Sequence, residues 1–208
     1  MKISSPLDRI LNNEVKVKIL RFLFKTNAEW NGRQIAKEIA VTPATTHKAL
    51  QSLNKEGVLL LRNIGKTHVY TLRHNNFIVS NILKPLFAKE EKVLGSIFGI
   101  IKRRISASNI KKGIVSVVLF GSVNLRKDRP ASDIDIMVIV TEAKIKHKAG
   151  LLFEDIDKKI SDKFGNSVSA YINTVSEFKS KYKEGLAVIK NILKSNKRIY
   201  GTQPERLI

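Results

Sequence analysis

The sequence predicts a protein of the α/β (α+β) class, with a mostly helical N-terminal part and a C-terminal part built around strands. Residues 7–25 carry apolar side chains at helical spacing. Residues 114–120 and 134–140 are apolar, β-branched runs that are too short for typical helices and indicate buried strands. We therefore predict three segments, which are an N-terminal domain over residues 1–75, a linker helix over 76–107 and a C-terminal domain over 108–208.

The 208-residue chain is strongly basic, with 38 Lys and Arg against 18 Asp and Glu and a formal net charge of +20. This charge favours a polyanionic partner, usually nucleic acid, over the alternatives of an anionic membrane or a merely soluble surface. The absence of cysteine excludes disulfides and zinc fingers. The sequence has no signal-peptide pattern and no apolar run as long as a membrane span, so we expect a cytoplasmic protein without a membrane partner.

Two acids and a glycine lie at the ends of the apolar runs. Gly121-Ser122 follows the first run, and Asp133-Ile134-Asp135 opens the second. Because strand side chains alternate, Asp133 and Asp135 share a face, where two neighbouring carboxylates are costly without a cation. Mg²⁺ takes such ligands and shares its other positions with water and substrate phosphates. The N–H groups of a tight bend can hold phosphate oxygens, so these residues predict a metal–nucleotide site.

The pattern of Gly-Ser, ten residues and Asp-x-Asp resembles the nucleotidyltransferase superfamily that includes polymerase beta, and most closely its small members. The resemblance covers residues 108–178 and implies a mixed-sheet nucleotidyltransferase fold. It implies that Gly121 and Ser122 hold the triphosphate of ATP or another nucleoside triphosphate. It also implies that Asp133 and Asp135 bind Mg²⁺ and serve in catalysis. A simpler alternative is that the two aspartates only open a strand or bind the amides at its edge.

The sequence departs from the family pattern at two places. Small members often have Arg-Gly shortly after Gly-Ser, where this chain has Leu125-Arg126. The family also places a third acid on the next strand, which corresponds here to residues 167–175 and has no Asp or Glu. The alternating face of that strand carries Ser169, Tyr171 and Asn173. The missing acid weakens the electrostatic stabilisation of phosphoryl transfer, so it counts against catalysis more than against nucleotide binding.

The segments around this strand are predicted to be helical. A helix over residues 151–164 would follow a basic loop over 144–148, and a lysine-rich helical region would end the chain. We expect its lysines 179, 181 and 183 to form a solvated face rather than the alternative, a substrate groove. The remaining candidates for a third acid are Glu177, Asp155, Asp157 and Asp162.

The N-terminal order of elements is typical of a DNA-binding fold. A short helix over residues 33–40 is followed by Thr42 as an N-cap, a second helix over Pro43–Glu56, and strands over 58–63 and 67–72 that signal a hairpin. This order, with the segment IAKEIAVTPATTHKALQSLNKEGVL, resembles the winged helix-turn-helix regulators of bacteria and archaea. The resemblance is broad, because many winged domains bind protein instead of DNA.

The winged helix-turn-helix resemblance implies a set of DNA contacts. The outward side chains of the second helix are Thr45, His47, Lys48 and Gln51. In a major groove Gln51 can read adenine, and Lys48 can bind guanine or phosphate. Arg62 and Lys66 on the hairpin would meet phosphate or the minor groove.

Residues 76–107 have a helical apolar period that Pro85 is expected to kink or restart. A helix that packs on the C-terminal strands is the simplest interpretation, and a homodimer helix competes with it. Together the patterns predict a DNA-binding transcriptional regulator with a domain that binds Mg-nucleotide. The alternatives are an active nucleotidyltransferase that adenylylates a protein or small-molecule hydroxyl, with the winged domain as a docking module, and a catalytically silent architectural DNA binder.

Overall fold

The computed structural model describes residues 2–130 and 132–208. The chain divides into two compact units, Met1–Val93 and Leu94–Ile208. The boundary lies inside the segment 76–107, for which the sequence predicts a linker helix. No helix in the described part of the chain is long and apolar enough to cross a bilayer.

The N-terminal unit has a winged helix-turn-helix fold. It contains, in order, helices α1 (Leu7–Ile10) and α2 (Glu14–Thr26), strand β1 (Trp30–Asn31), helices α3 (Gly32–Glu38) and α4 (Pro43–Lys55), and strands β2 (Leu59–Ile64) and β3 (Thr67–Leu72). The strands form an antiparallel sheet in the order β1-β3-β2. The helices and the sheet share one apolar core, which includes Leu20, Ile35 and Leu50 of the helices and Leu59 and Tyr70 of the strands.

The predicted first helix is interrupted, and one short strand was not predicted. Asn13 caps α2 by accepting a hydrogen bond from the N–H of Val15 at 2.7 Å, so the chain breaks between α1 and α2 although the apolar period continues. Strand β1 has two residues, of which Trp30 pairs with Tyr70. A strand this short has no alternation of its own from which it can be predicted.

The segment predicted as a linker helix forms three pieces. A π-helical turn at Val79–Leu83 leads into α5 (Lys84–Glu91), which has Pro85 in its first turn, and α6 (Val93–Ala107) follows. Proline suits the first turn of a helix because its missing N–H is not needed there. The first two pieces bury residues in the N-terminal core, and α6 buries residues in the C-terminal core.

The C-terminal unit is built on a mixed sheet, as the sequence predicts. Its elements are β4 (Ile114–Leu119), α7 (Gly121–Asn124), β5 (Ile134–Val140), α8 (Ala143–Phe164), β6 (Val168–Thr174), α9 (Val175–Lys183), α10 (Ala187–Lys194) and β7 (Lys197–Gly201). The strand order is β6-β5-β4-β7, in which β5 and β6 are parallel and the other pairs are antiparallel. The chain is therefore of the α/β class with two separate sheets.

Helices cover both faces of this sheet. Helices α6 and α8 pack on one face, against alternate β5 residues such as Ile136 and Val138. Helices α9 and α10 pack on the other face, against Met137 and Ile139. Burial on both faces explains why β5 is a continuous apolar run from Ile136 to Val140. Asp135 alternates with Ile136, so it belongs to the face that α9 covers.

Two predictions for the C-terminal unit are wrong. Residues 144–148, predicted as a basic loop, belong to α8, which begins at Ala143. Lysine is a good helix former, so a run of lysines does not by itself end a helix. Strand β7 lies at the end of the chain, where only helix is predicted. It is an edge strand with mostly polar, exposed residues, and such strands have a weak apolar pattern.

Candidate functional site

The two aspartates lie where β5 begins. Asp133 directly precedes the strand and is exposed, whereas Asp135 is its second residue and is half-buried. The backbone of Asp135 is fixed from both sides, because its carbonyl accepts a hydrogen bond from the N–H of Phe120 at 3.0 Å and the residue pairs with Ser169 on β6. The sheet therefore sets the position from which the Asp135 side chain extends.

Gly121 brings the end of β4 against Asp135. Phe120 is still extended, and Gly121 turns the chain with a φ of +74° into the short helix α7, whose second residue is Ser122. A Cβ atom at position 121 would lie 2.1 Å from Oδ2 of Asp135. Only glycine leaves room for the carboxylate at this bend. The structure thus brings together Gly121 and Asp135, which are fourteen positions apart in the sequence.

The carboxylates at this site have no positively charged partner among the described residues. The pKa of Asp135 is raised, first by burial of the carboxyl group and then by the negative charge of Asp133. Neither aspartate forms an ion pair or a side-chain hydrogen bond with residues 2–130 or 132–208. The environment of Asp135 thus disfavours the ionised carboxylate. A cation bound between the two aspartates would stabilise that ionised form.

The chemistry of these groups fits Mg²⁺. Carboxylate oxygens are hard ligands, and Mg²⁺ is commonly held by one or two carboxylates together with waters and substrate phosphates. Asp133 and Asp135 supply two carboxylates. The N–H groups in the first turn of α7 have no partners inside that helix, and Gly121 places this turn against Asp135.

Among residues 2–130 and 132–208, no third acid joins the two aspartates in a group that could hold a metal ion. The polar face of β6 consists of Ser169, Tyr171 and Asn173, as the sequence predicts. No group of three or more acids, histidines or cysteines with the geometry for a metal ion occurs in the part of the chain that the structure describes. The site therefore has the charge of two carboxylates.

Two of the three candidate third acids on α8 have other partners. Asp155 pairs with Arg104 of α6, and Asp157 accepts a hydrogen bond from the N–H of Val168 at 2.6 Å. These contacts fix α8 to its neighbours in the C-terminal unit, and neither involves the start of β5. Asp162 is exposed on the last turns of α8.

Glu177 serves as a cap and as an ion-pair partner. It forms a capping box with Thr174 at the start of α9, and both of its oxygens lie 2.8 Å from Nζ of Lys146. The pKa of Glu177 is lowered, first by the hydrogen bond from Lys146 and then by the backbone N–H of Thr174. The carboxylate of Glu177 therefore has a structural role. It caps α9 at the end of β6 and connects α9 to α8 through Lys146.

Small family members often have Arg-Gly where this chain has Leu125-Arg126, and the second of these positions adopts a conformation that favours glycine. Arg126 has a φ of +55°, in the left-handed region, two residues after the end of α7. The N–H of the next residue, Lys127, donates to the carbonyl of Ser122 at 2.9 Å and closes the turn. The chain therefore keeps a left-handed turn here although it lacks the glycine.

The prediction of a solvated lysine face on α9 is correct for two of three residues. Lys179 and Lys183 are exposed, but Lys181 turns onto β6 and contacts Tyr171 and Asn173. The available signal is the spacing from Phe178, which is buried three residues earlier and therefore lies on the same side of the helix.

The helix predicted to contact DNA has the expected outward face. Thr42 caps α4, Pro43 occupies its first turn, and Thr46, Ala49, Leu50 and Leu53 are buried. The predicted DNA contacts are all exposed on the opposite side, namely Thr45, His47, Lys48 and Gln51. The hydroxyl of Thr45 also accepts a hydrogen bond from Thr42 at 2.9 Å, so it is part of the cap.

The two predicted hairpin contacts differ in their surroundings. Lys66 is exposed at the turn between β2 and β3. Arg62 is exposed but already pairs with Glu29, with Nη1 at 2.8 Å from Oε1. Arg62 would have to leave or share this carboxylate to bind a phosphate.

Comparison with known protein families identifies the C-terminal region. Residues 104–205 match the family model described as "Polymerase beta, Nucleotidyltransferase". This match includes Gly121, Ser122, Asp133 and Asp135, and it confirms the resemblance that these residues carry. The sequence has no match among curated proteins.

Several solved structures align with parts of the chain. Reduced HlyU from Vibrio cholerae is 19% identical, and the alignment covers 43% of this chain and 86% of HlyU with a TM-score of 0.36. The homodimeric winged helix-turn-helix DNA-binding domain of a possible ArsR-family regulator from Mycobacterium bovis is 22% identical, with coverages of 44% and 78% and a TM-score of 0.34. Spectinomycin adenyltransferase AAD(9) from Enterococcus faecialis, solved with ATP and spectinomycin, is 21% identical, with coverages of 54% and 58% and a TM-score of 0.42.

Proposed function

Because the C-terminal unit carries a nucleotidyltransferase domain of the polymerase beta type, we propose that it binds a magnesium–nucleoside triphosphate complex. The observation that carries this proposal is the contact of Gly121 with Asp135 beside Asp133. Asp133 and Asp135 hold the Mg²⁺, and Gly121 and Ser122 hold phosphate oxygens at the start of α7. The metal neutralises phosphate charge when it is bound. ATP is the first nucleotide to test.

The N-terminal unit is the DNA-binding part of this proposal. Helix α4 presents Lys48 and Gln51 on an exposed face, and the hairpin presents Lys66. The net charge of +20 favours a polyanionic partner. The protein is thus a DNA-binding transcriptional regulator with a nucleotide-binding domain.

We propose that the nucleotide is bound without transfer, so that the domain acts as a sensor. The acids that would complete a three-carboxylate site are absent from β6, and Asp155, Asp157 and Glu177 have structural partners. A positioned general base is normally worth two to four orders of magnitude in rate, so its absence lowers turnover strongly.

The second candidate function is nucleotidyl transfer to a protein or small-molecule hydroxyl, with the winged unit as a docking module. It is favoured by the carboxylates of Asp133 and Asp135, which form no ion pair with the described residues and belong to the ligand class that a transferase site uses for its metal. In this reaction the acceptor oxygen attacks the α-phosphorus in line, pyrophosphate leaves toward Gly121 and Ser122, and the hydroxyl proton passes to water.

Two measurements on the full chain separate these functions. Fluorescence anisotropy with labelled duplex DNA, at two salt concentrations and with and without Mg-ATP, should show binding that weakens with salt. A pyrophosphate-release assay with Mg-ATP should show no turnover. Release of pyrophosphate that Asp133→Ala abolishes would favour the transferase, and no DNA binding at low salt would contradict the regulator.

A further inference from the structure

A lysine is held on the face of the sheet to which Asp135 belongs. Nζ of Lys181 lies 2.9 Å from the hydroxyl oxygen of Tyr171 and 2.5 Å from Oδ1 of Asn173. It also lies 4.8 Å from the centroid of the Tyr171 ring. Asn173 is completely buried, and Lys181 is half-buried. Three contacts with neutral groups therefore fix the position of one ammonium group.

The ammonium group lies on the same face of the sheet as Asp135. In the parallel pair, Asp135 is opposite Ser169 and Met137 is opposite Tyr171. Residues paired in this way point to one face, and Nδ2 of Asn173 accordingly lies 3.6 Å from Sδ of Met137. Tyr171 thus lies on the neighbouring strand, two residues beyond the partner of Asp135. This corresponds to a separation on the order of 8 Å between the Cα atoms of Tyr171 and Asp135.

No acid of the described residues forms an ion pair with Lys181. Glu177, one helical turn earlier, is near enough for Lys181 to contribute to its lowered pKa, but both Glu177 oxygens bond to Lys146. An ammonium group has three N–H donors. Within the described part of the chain, Lys181 donates two hydrogen bonds, one to Tyr171 and one to Asn173. The arrangement leaves a positive charge and one donor for an anion.

We infer that Lys181 is a phosphate-binding residue of the nucleotide site. This inference rests on the proposed function, because it assigns to Lys181 the polyphosphate of the nucleotide that Asp133 and Asp135 bind through Mg²⁺. Lysine binds phosphate as a point charge, and a triphosphate has more negative charge than one Mg²⁺ neutralises. Tyr171 and Asn173 act as positioning residues, because they hold the ammonium group.

Calorimetric titration of Mg-ATP into the full chain tests this assignment with Lys181→Gln and Lys179→Gln. Glutamine keeps a donor for Asn173 but removes the charge, and Lys179 is an exposed lysine of the same helix. We expect Lys181→Gln to weaken Mg-ATP binding about tenfold or more, which corresponds to about 1.4 kcal/mol, and Lys179→Gln to leave it within about twofold.

The outcomes distinguish this inference from the proposed function. Wild-type binding that Lys181→Gln leaves unchanged would overturn the role of Lys181 and leave the nucleotide site intact. Failure of the wild type to bind Mg-ATP would overturn both. If Lys181→Gln does not fold, acetylation of wild-type lysines read by mass spectrometry replaces it. Protection of Lys181 but not Lys179 by Mg-ATP supports the inference, and equal labelling of Lys181 with and without Mg-ATP overturns it.

Discussion

Gly121 lies so close to the Asp135 side chain that any side chain at position 121 would collide with the carboxylate. A Cβ atom there would lie 2.1 Å from Oδ2 of Asp135. The conformation of Gly121, with φ at +74°, independently favours glycine. This contact connects the bend after β4 with the first residues of β5. It therefore joins the two halves of the Gly-Ser and Asp-x-Asp pattern in one site.

We predict that Gly121→Ala destabilises the protein by at least about 1 kcal/mol and weakens Mg-ATP binding more than tenfold. The left-handed conformation costs a non-glycine residue about 1–2 kcal/mol, and the added methyl group displaces the Asp135 carboxylate. Urea unfolding and calorimetry measure the two effects.

The matched control for this substitution is Gly165→Ala. Gly165 has a φ of +79° but open space where a Cβ atom would be, so alanine there brings backbone strain without displacing a carboxylate. We expect this control to lose stability and keep nucleotide binding. Equal loss of binding in both variants would contradict a specific role for the contact of Gly121 with Asp135.

We predict that Asp135→Asn becomes more stable relative to wild type as the pH rises. The pKa of Asp135 in the folded protein lies above its ordinary value of 3.8, because of burial and the charge of Asp133. The folded state therefore holds this proton more tightly than the unfolded state. Stability is lost as the pH rises from the unfolded pKa through the folded one, and asparagine does not titrate.

Urea unfolding in EDTA at about pH 4 and about pH 7 measures this pH dependence. The difference between Asp135→Asn and wild type should be larger at the higher pH. A difference that is the same at both pH values would mean that the environment of Asp135 does not oppose its ionisation.

We predict that Glu177→Ala lowers stability by about 1 kcal/mol and does not change Mg-ATP binding. The substitution removes one half of the capping box with Thr174 and the ion pair with Lys146. The lowered pKa of Glu177 means that its contribution is present above the unfolded pKa and is lost as the pH falls through the folded value. A large loss of Mg-ATP affinity would instead identify Glu177 as the third acid.

The sequence was sufficient to predict strands β4 and β5 and the position of Asp133 and Asp135 at the start of β5. Buried strands have continuous apolar runs, and the two aspartates adjoin one of them, so β4, β5 and the shared face could be inferred from neighbouring residues. The exclusion of a side chain at Gly121 could not be inferred, because it depends on the distance between two strands.

Other features depend on tertiary packing. In the sequence, Lys181 cannot be distinguished from the exposed lysines 179 and 183. Its contact with Tyr171 arises only because α9 packs on β6. The pairing of Arg62 with Glu29 joins residues 33 positions apart, and neither residue type predicts the other. Edge strand β7 and the early start of α8 were missed because their residues have no strong apolar period.

We predict that Lys48→Ala with Gln51→Ala weakens DNA binding and reduces its salt dependence. Both residues are exposed on α4, and the loss of one phosphate contact lowers the slope of log affinity against log salt by about 1. Lys25→Ala removes one charge from an exposed position of α2 and is the control. Equal effects of the two charge losses on DNA affinity would mean that α4 has no special role.

Titration of ATP with and without Mg²⁺, on wild type and on the variant Asp133→Ala with Asp135→Ala, tests the nucleotide site most directly. We predict that wild type binds ATP much more tightly with Mg²⁺ than in EDTA, and that the double variant loses this difference while remaining folded. Binding that is independent of Mg²⁺, or that persists unchanged in the double variant, would contradict the assignment of these aspartates as the ligands of a magnesium–nucleotide complex.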